Sequence, residues 1–427
     1  MTVTAPAHPL ASDPAARPAG RPAARVLGRR ASFWVSAGVV GHTLWTSAAP
    51  AMTYPLYAAQ WGLTHLTLTA IFATYPAVVV AVLVGFGDLS DHVGRRATML
   101  LGLGASLAGV LLFALAPSVA WLFAGRALMG LGVGLSVGPA TAALVEFAPE
   151  DRPDLAGSVT TAAQAAGFAA SLLLGGLMVQ YAPLPTRLSF WLLAAIIAAL
   201  LAATWFLPGR RAGDAGRGWR PRLPRVPRAL RTGFAVAALG VVTAYTHGVL
   251  ILSLGAQVAR DLVGSGDALV NAAALALFAV ASGIVGILAR HVVARVALMT
   301  GALASAAGMM LLAVSVHTRA LGCLLAATSI SGVGYGLLFL GGLEVINRIT
   351  PSSRRGGVFS ALYLLGYLSM AVVALLLGHV ATLRGLSLAT DLGAGIIALF
   401  SVGTAALATT LLPFEGQGPR CDADVSA

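Results

Sequence analysis

Long apolar runs recur along this chain at near-regular intervals, each ended by a short stretch of proline, glycine or charge. The runs are continuous and do not alternate with polar residues, a pattern that predicts helices and not barrel strands. A helix crosses a hydrocarbon core of about 30 Å with roughly 20 apolar residues. Twelve runs meet that length, at about 33–58, 67–86, 97–116, 119–147, 155–181, 187–207, 232–259, 268–290, 294–316, 320–346, 356–381 and 388–412.

Between the sixth and seventh runs lies PGRRAGDAGRGWRPRLPRVPRALR, too polar and proline-rich to cross a membrane. It predicts a cytoplasmic basic linker at 208–231 joining two six-helix halves, 33–207 and 232–413. Residues 1–32, rich in Ala, Pro and Arg, are expected to be a disordered cytoplasmic tail and not a signal peptide, and 414–427 a second cytoplasmic tail. An internal repeat supports the division: Ala59-Gln60 matches Ala256-Gln257 at an offset of 197, and Gly134 with Glu146 matches Gly332 with Glu344 at 198. The fold class predicted is an all-α membrane protein, twelve transmembrane helices in two pseudo-symmetric six-helix bundles.

Composition agrees with lipid as the solvent: 58% of the 427 residues are apolar, 10% are charged, and mean hydropathy is +0.87. The net charge of +12 comes from arginine alone and lacks the aromatic interleaving of a nucleic-acid surface. It follows topology instead. With the N-terminus inside, 22 of the 27 arginines fall on the cytoplasmic side, so both termini are expected there. Cys323 and Cys421 form no ligand or disulfide pattern, and neither a metal nor a cofactor is expected.

The densest charge in the apolar part is Gly87-Asp88-Leu89-Ser90-Asp91-His92-Val93-Gly94-Arg95-Arg96 between helices 2 and 3, read as a tight reversal. Together with twelve helices in two halves and a central basic loop, it resembles the major facilitator superfamily, whose motif there is Gly-x-Leu-Ala/Ser-Asp-Arg-x-Gly-Arg-Arg/Lys. His92 stands where the motif has Arg. On helix 4, Arg126-Ala-Leu-Met-Gly130-Leu-Gly132-Val-Gly134 is similar to the Arg-x-x-x-Gly-x-Gly of proton-coupled members. The resemblance spans about residues 33–412. On helix 5 the drug/proton antiporter motif keeps its outer glycines, Gly167, Gly175 and Gly176, with Ser171-Leu172 in place of its central Gly-Pro. The acid which that group carries on helix 1 is absent.

The resemblance implies a conformational latch of Gly87, Asp91, Gly94, Arg95, Arg96 and Glu146 between the halves. A topological anchor of positive charge is the plainer alternative. Arg126, costly within a span, is expected either to tune a proton carrier from the cavity or bind an anionic group, or else to snorkel to the interface. Near mid-membrane the titratable candidates are His42 and His247; His42 lies nine residues from Phe33, about 14 Å into the core. Each is read as a proton carrier or as a hydrogen-bonded core residue. Cavity candidates are Trp45, Tyr54, Gln164, Tyr245, Asn271 and Tyr335, sparse polar and aromatic side chains among Ala, Leu, Val and Gly.

These readings converge on a secondary active transporter, a monomer that works with protons and a small hydrophobic or amphipathic organic molecule in the bilayer. Proton-coupled efflux is favoured by the resemblance and the apolar cavity. Import of a small organic acid on Arg126 is the alternative, and a transporter-like sensor the non-transport one. Spans without Ser/His pairs, His-Glu-x-x-His spacing or paired carboxylates argue against an enzyme. Arginine in place of lysine, with heavy Ala, Gly and Pro, suggests the inner membrane of a GC-rich bacterium.

Overall fold

Twelve helices account for the twelve apolar runs in the computed structural model, which describes residues 26–86, 89–152, 155–209, 226–351 and 355–412. We number them α1 (Arg29–Ala48), α2 (His65–Phe86), α3 (Arg95–Ala114), α4 (Val119–Phe147), α5 (Leu155–Tyr181), α6 (Leu188–Trp205), α7 (Arg231–Gly248), α8 (Ala268–Leu288), α9 (Ala294–Thr318), α10 (Leu321–Ile349), α11 (Arg355–Arg384) and α12 (Leu386–Leu411). Strands are absent among the described residues. Eleven described helical stretches are long and apolar enough to cross a membrane; α1, richer in Ser, Thr, Gly and Trp, belongs to the same bundle. Large apolar side chains such as Leu101, Leu303 and Leu399 stand exposed on the outside, as lipid-facing residues do.

Four local departures from the sequence reading have physical causes. The first helix starts at Arg29, inside the stretch expected to be tail, and stops at Ala48 before Pro50; the chain resumes as a short helix, Tyr54–Trp61. The seventh run keeps α geometry only to Gly248 and then passes through two π-helical turns, Val249–Leu254 and Val258–Leu262. The reversal before α3 holds a short helix, Leu89–Val93, and ends at Gly94, whose φ of +93° is open to glycine and strained for other residues. Finally, the repeat has a different register. Gly130 and Gly134 of α4 pack on α2, as Gly332 and Gly336 of α10 pack on α8, while Gly132 faces α3 as Gly334 faces α9. The offset between halves is therefore 202 along this ridge, one helical turn away from the sequence match. The tails 1–25 and 413–427 and most of the linker, 210–225, lie outside the described residues.

Packing repeats with the same symmetry. Within the first half α3 packs on α4 and α6, and α1 on α4, α5 and α6; within the second, α9 packs on α10 and α12, and α7 on α10, α11 and α12. Two seams join the halves, α5 on α8 and α2 on α11. Following neighbours gives a closed ring, α2, α4, α1, α5, α8, α10, α7, α11 and back to α2, with α3, α6, α9 and α12 outside it. The ring bounds a central space, which positions the candidate site.

Candidate functional site

One end of the bundle carries Arg95, Arg96, Arg152, Arg290, Arg348 and Arg355 and is called here the arginine-rich end. At the opposite end the ring is sealed. Ala48–Pro55 of the first helix and its break are buried, and so is the whole of Val249–Ala259 beyond α7. Three hydrogen bonds cross between halves there: His65 Nδ1 to Gln257 Oε1 (2.7 Å), the Leu66 amide to Thr382 Oγ1 (2.9 Å) and the Ala268 amide to Gln180 Oε1 (2.7 Å). Gly378 meets Thr69 so closely that a side chain at 378 would overlap it. At the arginine-rich end the described cross-half bond is Arg290 Nη1 to Ser158 Oγ, 3.0 Å.

The second half faces the central space with aromatic rings. Tyr245 of α7, Tyr335 and Phe339 of α10, and Phe359, Tyr363 and Tyr367 of α11 are all half-buried. Tyr245 meets Tyr367 edge to face at 4.8 Å between centroids, Tyr335 and Phe339 lie parallel at 6.1 Å, and Phe339 reaches Tyr363 at 6.4 Å. Tyr335 continues to Phe278 of α8 at 5.2 Å, and Phe278 to Phe168 of α5 at 6.1 Å, so the series crosses the seam. From the first half, Gln164 presents a half-buried amide on the face of α5 between its contacts to α1 (Ala163, Gly167) and to α8 (Thr161, Ala165).

Of the other cavity candidates, Trp45 is half-buried on α1. Tyr54 is buried in the short helix after α1, its hydroxyl without a partner. Asn271 is buried at the start of α8, where its amide donates to Ser265 O at 3.0 Å. Phe339, Phe359, Tyr363 and Tyr367 went unnoticed in the sequence. The signal was there: Phe359, Tyr363 and Tyr367 recur every fourth residue, on one helical face.

Arg126 is completely buried. Its Nη1 donates to Ser47 O (3.1 Å) and its Nη2 to Phe72 O (3.4 Å), and the guanidinium lies over the Tyr75 ring, 4.6 Å from the centroid. Both carbonyls lack a helical donor. Four residues after Phe72 stands Pro76, which has no N–H, and past the break in α1 the Ala51 amide turns back to Ala48 O. The arginine thus serves two irregular helices inside its own half. Its complete burial differs from an interfacial, snorkelling position.

His42 and His247 are likewise buried inside their own halves. The Nδ1–H of His247 donates to Thr243 O (2.9 Å), so its Nε2 accepts from the hydroxyl of Ser305 on α9 (2.9 Å). His42 repeats the pattern with Val39 O and with Ser106 on α3, at 3.4 Å from Nε2. The two dyads correspond, behind the glycine ridges of α4 and α10, and they correct the expectation of spans without Ser/His pairs: the partners stand 64 and 58 residues apart on different helices, so no sequence spacing reveals them.

Arg95 forms an ion pair with Glu146 and also donates to Ala142 O at 3.3 Å. The pair joins α3 to α4 within the first half and does not itself bridge the halves. Arg96 donates to Leu207 O (3.3 Å) past the end of α6 and lies over Trp205. Its counterpart Arg295 on α9 donates to Thr409 O and Leu412 O at the end of α12. Both cations sit where a helix dipole is negative. Gly87 and the side chain of Asp91 lie outside the described residues. One acid escaped the sequence reading: Asp391 of α12 accepts from His317 Nε2 at 3.2 Å, at the sealed end.

Eight helices thus close into a ring that is sealed at one end. The sequence profile of the Major Facilitator Superfamily matches residues 34–374. The chain belongs to that superfamily. It is therefore a multi-pass membrane transporter. Among known superfamily proteins it is similar to the multidrug efflux pump LfrA of Mycolicibacterium smegmatis, 34% identical over 134 residues. That match spans 31% of this chain and only 26% of the pump. The crystal structure of the nucleoside transporter NupG superposes with a TM-score of 0.71, covering 89% of this chain and 100% of that one. At 12% identity the likeness is one of fold.

Proposed function

We propose that this superfamily member exports a small hydrophobic or amphipathic organic molecule by alternating access, in exchange for protons, with both termini and the arginine-rich end at the cytoplasm of a bacterial inner membrane. The observation that carries the reading is the central space itself, sealed at the end opposite the arginines by His65–Gln257, Leu66–Thr382 and Gln180–Ala268, and faced by half-buried aromatic rings. In this state the site opens to the cytoplasm. Parting the α2–α11 and α5–α8 seams at the sealed end would open it to the other side. Arginine placement supplies the orientation, and the partial likeness to an efflux pump favours export.

For coupling, His42 and His247 are the proposed carriers, being titratable side chains buried on ring helices α1 and α7. One proton moving down 100 mV supplies about 2.3 kcal/mol, enough for a substrate gradient of roughly 50-fold. The latch proposed from the resemblance acts within the first half, with Arg95–Glu146 fixing α3 against α4 beside the moving seam. Import of an organic acid on Arg126 is the alternative, and the commitment of two guanidinium nitrogens to backbone carbonyls weighs against it. The test is a substrate panel on protein in vesicles with internal pH recorded. Export in exchange for protons predicts compound-driven pH changes that are lost in His42→Ala or His247→Ala; compound movement with no pH change in the unmodified protein rejects proton coupling.

A further inference from the structure

We infer that the aromatic wall of the second half is the substrate-recognition surface, and that its ligand is an uncharged, planar aromatic molecule of two or three fused rings with a hydrogen-bonding edge. The inference deepens the transport reading and rests on it.

On α10 the wall has no equivalent in the first half. At the offset of 202 that relates the glycine ridges, Tyr335 and Phe339 correspond to Val133 and Val137. Packing glycines and His–Ser dyads repeat in both halves, whereas these two rings do not. They are therefore not required to build a six-helix bundle. They pack against the core without being fully buried in it: Tyr245, Tyr335, Phe339, Tyr363 and Tyr367 all keep part of their surface accessible. On α11 the ring-bearing face from Phe359 to Tyr367 rises about 12 Å, the length of two to three fused rings. Gly366 keeps this surface flat, since a side-chain carbon there would press on the Tyr245 ring at 3.1 Å.

Charge decides the ligand class. Among the described residues the wall carries no acid and no free cation. Arg126 is fully buried, with two nitrogens on the Ser47 and Phe72 carbonyls, its Nε without a partner and its guanidinium against Tyr75; Glu146 and Glu344 lie toward the arginine-rich end on Arg95 and Arg348, and His247 is held by Ser305. A bound ion would surrender hydration without gaining a counter-ion, at a cost of several kcal/mol, of which cation–π contacts return about 2 kcal/mol. A neutral ring system loses little hydration and gains face and edge contacts. The Tyr335 and Tyr363 hydroxyls, beside the mutually bonded Tyr245–Tyr367 pair, on one side and the Gln164 amide on the other offer hydrogen bonds to its edge.

The test is calorimetric titration of the purified full-length protein with three fused bicyclic probes of one size, neutral coumarin, cationic N-methylquinolinium and anionic 2-naphthoate, with cyclohexylmethanol as a non-planar control. Coumarin is expected to bind saturably, and the other three at least about tenfold more weakly. Phe339→Leu and Tyr335→Leu should each weaken coumarin about tenfold, while Tyr335→Phe, which keeps the ring, stays within about threefold. Gly366→Ala, by displacing Tyr245, should also weaken it. N-methylquinolinium or 2-naphthoate binding as tightly as coumarin would overturn the inference, as would absent coumarin binding or leucine variants that melt and bind like the parent. The charge series uses the unmodified protein and needs no variant to fold. Ring-dependent binding with no compound-driven change in vesicles removes transport and leaves the wall. Vesicle transport indifferent to Phe339→Leu and Tyr335→Leu removes the wall and leaves transport.

Discussion

Arg126 shows how one side chain can answer two backbone problems. A proline in α2 and the break in α1 each leave a carbonyl without its helical donor, and an unsatisfied buried carbonyl costs about 1–3 kcal/mol. The guanidinium supplies both. Arg126→Met should therefore lower the unfolding free energy by about 1–3 kcal/mol, measured by melting in detergent. In a Pro76→Ala background the loss should be smaller, because the residue then at 76 returns an N–H to Phe72. Equal losses in the two backgrounds would show that the arginine acts through something other than that carbonyl. An arginine inside a span already announced itself in the sequence as costly and purposeful. Its partners did not, because they are backbone atoms of two other helices, and their need for a donor depends on Pro76 and on a break that tertiary packing defines.

Between elements, glycine contacts decide which helices touch. A side chain at Gly132 would strike Ser106 and the Gly102 backbone of α3, and α9 meets α10 in the same way through Gly301, Gly308 and Gly334. Backbone cannot yield, so Gly132→Ala should destabilise by about 1–3 kcal/mol. Gly104, with nothing within 4 Å of its would-be side chain, is the control: Gly104→Ala should be neutral or stabilise by up to about 1 kcal/mol. Both are read by thermal unfolding, and losses of similar size would refute close packing as the reason for Gly132. At helix ends Arg96 and Arg295 act as matched caps. Arg295→Gln should speed hydrogen exchange in the last turn of α12 while leaving α6 unchanged, and Arg96→Gln should do the reverse. Helix positions were legible to within a few residues, since an apolar run must be as long as the bilayer is thick, except where the first run breaks at Ala48 and the seventh leaves α geometry at Gly248. The pairing of repeats was not. In a sequence this rich in Gly and Ala, registers one turn apart look alike, and only the contacts of Gly130, Gly132 and Gly134 distinguish them.

For the whole molecule, the proposed transport cycle requires the sealed end to open. His65 on α2 and Gln257, in the short α stretch between the two π-helical turns, meet across the halves. Loss of this bond in His65→Ala with Gln257→Leu should favour the opened state. A cysteine placed at the buried Thr69, after Cys323 and Cys421 are replaced by serine, should then react several-fold faster with an impermeant maleimide; an unchanged rate would place the seal elsewhere. The family, the twelve helices and the charged turn at Asp91–Arg96 were settled by sequence alone, because hydrophobic length, charge placement and motif spacing are local properties that any fold of this chain must honour. Which face each side chain turns to was settled only by tertiary structure. His42 and His247 point into their own halves, while Phe339, Tyr363 and Tyr367 form a wall with Tyr245 and Tyr335 because α7, α10 and α11 adjoin in the ring. Depth along a helix follows from counting residues, but direction around it depends on which neighbours pack there.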